Sequence, residues 1–191
     1  MPGFVALLRG INVGRGPRIP MADLRAVAES LGWSGVRTHL QSGNVVFDAD
    51  AGAPADLAAA LEAAVAARFP VQPRVVVLTC ADLADIAAAT PFAEQAAAAP
   101  TTVHAVVLSG PLGPDGLARV GAAEQRAAGK GAADRAVVTA RAVHLLTPDG
   151  AGRSELAAAL GRPGALGPDV VATARNWSTV QALLHLCAGD A

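Results

Sequence analysis

The chain has 191 residues, 52% hydrophobic and 16% charged, which excludes a disordered polymer and provides core enough for one large or two small domains without metal or disulfide support. A formal net charge of −1 excludes a molecule drawn to nucleic acid or membrane by its global field, and no apolar run approaches the length of a membrane span. With aromatics at 3%, the core must be built mainly from Val, Leu and Ala; with no leader pattern, the expected compartment is the cytoplasm.

Phe4 to Leu8 is a continuous apolar run, the pattern of a buried central strand. It breaks into a Gly/Arg-rich loop from Arg9 to Arg18, after which Pro20 opens a helix carrying Met21, Leu24, Val27, Ala28 and Leu31, stopped by Gly32. Val36, Thr38 and Leu40 alternate with Arg37, His39 and Gln41, a strand with one polar face. Ser42-Gly43-Asn44 turns it into the partner strand Val45 to Phe47, and Gly43-Asn44 reads as ordinary turn chemistry tolerant of positive φ. A second helix places Leu57, Leu61, Val65 and Phe69 on one stripe, and Val75 to Leu78 closes a β-α-β-β-α-β unit.

The same order recurs after a linking helix from Asp82 to Thr90. The spacing predicts a strand over 103–108, a helix over 115–126, a hairpin of 136–139 with 143–146 around Ala140-Arg141, a short helix over 154–160 and a final strand over 170–173. Trp177, Val180, Leu184 and Cys187 define a C-terminal helix, while 110–116, 127–133 and 161–168 read as connectors. The expected fold class is therefore α+β: two tandem ferredoxin-like subdomains, 1–80 and 101–191, joined by 81–100, with the extra helix on the second. Cys80 and Cys187, far apart in apolar contexts, are expected to be two buried thiols.

Charge is unevenly distributed. Arg9, Arg15, Arg18, Arg25 and Arg37 face only Asp23 and Glu29 over 1–47, whereas 48–100 carries Arg68 and Arg74 against seven acids. Three polar segments stand out within this pattern. The loop 9–18, between a buried strand and a helix, can point backbone N–H groups at an anion, with Arg9, Asn12 and Arg15 as further donors. It lacks the third glycine of a dinucleotide fingerprint, and no phosphate-binding G-x-x-x-x-G-K-[ST] can be placed. Ser42 and Asn44 form the second segment. The third is Arg175-Asn176 before the C-terminal helix, where Asn176 is a natural N-cap and an Arg beside the cap opposes the helix dipole. Arg153, ahead of the capping Ser154, repeats that arrangement. His39, His104, His144 and His185 are scattered singly, no Cys/His cluster exists, and neither a metal nor a cofactor is expected.

Taken together, Ala6 to Gly14, Ile19 to Arg25, Val36 to Phe47, Gly152 to Leu156 and Thr173 to Val180 resemble the bacterial family catalogued as domain of unknown function 1697. His39 stands where that family usually has Tyr, Arg15 where a second Gly is common, and Ser178 where Asn is frequent. The resemblance implies two ferredoxin-like subdomains and marks the polar segments as recurring motifs, while it brings no activity, substrate or catalytic residue.

The first functional reading is a binding module for a small anionic ligand, nucleotide- or phosphate-like, using Arg9, Asn12, Arg15, Ser42, Asn44, Arg153, Arg175 and Asn176. The second is a hydrolase or transferase acting on a phosphate-containing substrate in the same cleft, with Ser42 or His39 taking part. The third is RNA binding on an exposed sheet, for which only Phe4 and Phe47 are available to stack and both read as buried. An interaction protein without a ligand is the fourth.

Overall fold

The computed structural model describes residues 3–14, 16–50 and 52–189. Among the described residues, eight strands and seven helices form a mixed fold with two four-stranded antiparallel sheets. The chain divides into two compact units, Met1–Ala84 with Gln181–Ala191, and Asp85–Val180.

In the first unit the order is β1 (Gly3–Arg9), α1 (Met21–Ser30), β2 (Ser34–His39), β3 (Asn44–Asp48), α2 (Pro54–Arg68) and β4 (Arg74–Thr79). The strands lie in the order β2-β3-β1-β4. Register pairs Ala6 with Val45 and Val77, so Phe4, Ala6, Leu8, Val45, Phe47, Val75 and Val77 share one face. That face packs on Leu24, Val27 and Ala28 of α1 and on Leu57, Leu61 and Val65 of α2. The rings of Trp33 and Phe47 stack with centroids 3.8 Å apart, and the Phe4 ring lies 5.6 Å from that of Phe47. The opposite face, carrying Val5, Leu7, Val46, Val76 and Leu78, is buried too. Pattern and packing agree here because a strand covered on both sides reads as an unbroken apolar run.

The second unit holds α4 (Ala93–Ala98), β5 (Val103–Leu108), α5 (Pro114–Ala128), β6 (Arg135–Val138), β7 (Ala142–Leu146), α6 (Glu155–Leu160) and β8 (Ala172–Asn176), its strands ordered β6-β7-β5-β8. Val106, Leu108, Val143, Leu145 and Ala172 pack on Val120, Ala123 and Ala127 of α5 and on Leu156 and Leu160 of α6. The other face of this sheet, with Val103, Ala105, Val107, Ala142 and His144, is also buried. Two helices run across the division of the chain: α3 (Cys80–Ala88) leads into the second unit, and α7 (Trp177–Ala188) leads out of it.

Four sequence expectations need correction. Cys80 and Cys187 are not thiols but a disulfide, with Cα atoms 5.7 Å apart. Sequence separation concealed the pair, because only the return of α7 to the first unit brings Cys187 to the start of α3. The last strand runs over 172–176, not 170–173, so Arg175 belongs to a strand and not to a loop. Helix α5 begins at Pro114 and continues to Ala128, taking in the ends of two segments read as connectors; proline is tolerated in a first helical turn, where its missing N–H has no partner to lose. Finally, Asn44 is the first residue of β3, and the positive φ values of the turn fall on Leu40 (57°) and Gly43 (75°).

Candidate functional site

Strand β1 ends at Arg9, and the chain then enters a tightly organised loop. φ is positive at Gly10 (75°), Asn12 (56°) and Gly14 (62°) and not at Ile11 or Val13, so its sign alternates over five residues. Such alternation between right- and left-handed backbone turns consecutive N–H groups toward a common side, the arrangement of an anion-binding nest. Among the described residues, none of the N–H groups from Gly10 to Gly14 donates to a protein acceptor. Arg9 is half-buried at the start of this loop and Arg18 is exposed near its end. Arg15, the third arginine predicted here, lies outside the described residues.

Asn12 holds the loop in this shape. Its Nδ2 donates to Ile19 O at 3.0 Å and to Gln41 O at 2.8 Å, and its Oδ1 accepts from Ile19 N at 2.7 Å. The first and last bonds bracket the loop; the second fastens it to the turn between β2 and β3. Ile11 and Ile19 are buried and anchor the same segment in the core. Leu8 N donates to Gly43 O at 2.8 Å, a further tie between the end of β1 and that turn. Asn44 is 0% exposed, and its Nδ2 donates to His39 O at 2.8 Å and to Ser42 Oγ at 3.0 Å. The two predicted segments of the first unit therefore do come together. Within them, Asn12 and Asn44 are brackets, and Ser42 lies exposed on the turn.

The predicted residues of the second unit have different surroundings. Arg175 is 8% exposed in β8, its guanidinium donating to Thr173 Oγ1 and to Ala174 O, both at 2.8 Å; burial lowers its pKa from 12.5 to about 10. Asn176 Oδ1 accepts from Thr179 N at 2.9 Å, the N-cap expected of it. Ser154 caps α6 by accepting from Ala157 N at 2.9 Å while its own hydroxyl donates to Asp134 Oδ2 at 2.6 Å. Asp134 is a buried carboxylate that the sequence did not single out. Arg153 is exposed on the preceding turn, and its guanidinium has no hydrogen-bond or ion-pair partner among the described residues. No group of three or more His, Cys, Asp or Glu able to hold a metal is present among the described residues. Phe4 and Phe47, the two rings considered for RNA stacking, are buried, while the edge strands β2 and β6 are partly exposed.

His144 is buried in β7, with Nε2 3.3 Å from Thr139 Oγ1 and its ring 6.4 Å from that of Trp177. Burial lowers its pKa from 6.5 to about 4 and lowers that of His104 as well. Between pH 6.5 and 4 the unfolded chain binds a proton at His144 that the folded chain does not. Stability is therefore fully present above pH 6.5 and falls with falling pH toward 4, in total by roughly 2–3 kcal/mol from this residue. His144→Leu should flatten that part of the dependence, leaving the part due to His104; urea midpoints from pH 7 to 4 measure the difference.

The sequence profile of the family described as protein of unknown function, DUF1697, matches residues 1–142. The chain belongs to the DUF1697 family. No curated protein matches it. Among solved structures, the conserved bacterial protein SP0830 from Streptococcus pneumoniae is similar, with a TM-score of 0.70 at 18% identity, covering 97% of this chain and 98% of that one. At that identity the likeness concerns the fold. Among the described residues, no helix of this DUF1697 protein is long and apolar enough to cross a membrane.

Proposed function

We propose that this DUF1697 protein binds a small anion of phosphate type, free or as part of a nucleotide, at the loop between β1 and α1. The alternating φ of residues 10–14, with five backbone N–H groups that have no acceptor among the described residues, carries the reading. Arg9 and Arg18 add positive charge at the two ends of the loop, and the Asn12 bracket preorganises it before any ligand arrives. Val13 (67% exposed) and Leu40 (58% exposed) put large apolar side chains on the two loops that Asn12 joins, which suits a ligand with an organic portion beside its anionic group. The reading uses groups of the first unit alone. We also read each unit as a ferredoxin-like plait, which the β-α-β-β-α-β order and the helices on one sheet face support.

Titrating the full chain with pyrophosphate while following backbone amide resonances tests the site. The amides of Gly10 to Gly14 should shift together and saturate, and Asn12→Ala should weaken the affinity about tenfold through loss of the bracket. Unmoved loop amides at millimolar pyrophosphate would sink the proposal.

A further inference from the structure

We infer that the groove between α5 and the end of α6, within the second unit, is a separate site for a linear oligophosphate. Arg119 and Arg126 lie seven residues apart on α5, nearly two full turns, so both project from one side of the helix about 10 Å apart along its axis. Arg162, just beyond α6, lines the same groove of about 410 Å³. The floor is made of Ala122, Ala123 and Ala159, and no carboxylate lines it. A second hollow of about 440 Å³ shares Ala123, Arg126, Ala159 and Arg162 and continues the groove to Lys130, which pairs with Glu155 at 2.8 Å.

Elsewhere on the surface Arg68 pairs with Asp23, Arg74 with Glu62 and Arg135 with Glu124, whereas Arg18 and Arg153, like the groove arginines, have no such partner among the described residues. Arg119, Arg126 and Arg162 have no hydrogen-bond or ion-pair partner for their side chains among the described residues. Charge complementarity to the carbonyl ends of α5 and α6 accounts for Arg126 and Arg162, since each sits at a helix C-terminus. It does not account for Arg119, which is in the middle of α5. Three forked donors spaced along an alanine floor match an anion whose charges are themselves spaced along a chain. The lining has no aromatic ring on which a base could stack, and so favours the phosphate chain over a nucleic acid.

The site is tested with sodium tripolyphosphate as probe, by calorimetry and amide shifts on the full chain. Arg119→Gln, Arg126→Gln and Arg162→Gln should each weaken binding about tenfold, and together on the order of a hundredfold or more. These positions are exposed, so circular dichroism should show the variants folded. Asn12→Ala weakens only the loop of the first unit, so the tripolyphosphate-induced shifts of the amides of Arg119, Arg126 and Arg162 should persist in it while those of Gly10 to Gly14 diminish, and the two sites succeed or fail independently. The inference is overturned if the triple variant binds tripolyphosphate as the parent does. It is equally overturned if Arg68→Gln and Arg135→Gln weaken binding as much as the groove substitutions, because the effect is then diffuse charge. Tighter binding of single-stranded oligouridylate than of tripolyphosphate at the same amides would overturn the ligand class.

Discussion

Reduction of the Cys80–Cys187 disulfide is expected to lower the stability of the first unit by about 3 kcal/mol. The bond spans 107 residues, and a loop of that length, fully unfolded, would give a chain-entropy contribution of about 4–5 kcal/mol. Here the loop contains the whole second unit, from Asp85 to Val180. While that unit stays folded, much of the loop is already ordered, and the bond restrains less additional freedom. The loss should therefore be smaller when the first unit unfolds alone than when the whole chain unfolds. Without the bond, the last turns of α7 keep the contact in which the Arg37 guanidinium donates to Leu186 O at 2.6 Å. Urea unfolding with and without a reductant measures the effect, with Cys187→Ser as the control that must no longer respond to reductant. A shift below about 0.5 kcal/mol would mean that α7 is held by packing alone.

Gly43→Ala should be nearly as damaging, at about 3 kcal/mol. At a φ of 75° an L-side chain costs about 1–2 kcal/mol. A Cβ there would also lie 2.7 Å from Ile11 Cδ1 and 2.8 Å from Leu8 Cβ, and forced repacking adds about 1–3 kcal/mol. Because Ile11 anchors the loop between β1 and α1, the same substitution should shift the amides of Gly10 to Gly14 even without ligand. Gly43→Ala combined with Ile11→Ala should recover part of the repacking cost relative to the sum of the two single changes. Additive losses in that double-mutant cycle would show that the steric account is wrong.

Much of the fold could be read from periodicity, because strands such as 4–8 and 75–78 and the i+4 stripe of α2 are decided by burial, which leaves its mark on apolar spacing. What was missed depends on tertiary context. Arg175 looked like a loop residue because its charge interrupts the apolar pattern, yet the strand continues through it. Asn44 looked like a turn former, yet its amide is needed inside, closing the carbonyl of His39. Within the candidate site, the Gly/Arg composition of 9–18 and the polar turn 42–44 were legible as separate motifs, but their meeting in space was not. The Asn12 bracket was not, since it joins residues seven and twenty-nine positions apart. The groove arginines were missed because Arg162 comes from another element and the seven-residue spacing on α5 alone reads as a solvated face.

The order in which the chain is threaded has a consequence for its synthesis. The segment forming the second unit, 85–180, is continuous, whereas the first unit needs both its opening residues and those from Gln181 onward. Emerging from a ribosome, the first sheet, whose strands all lie between Gly3 and Thr79, can pair before the second has been made. Its disulfide, however, can close only once Cys187 in the last turns of α7 has been made. The first unit is thus begun before the second and cross-linked after it.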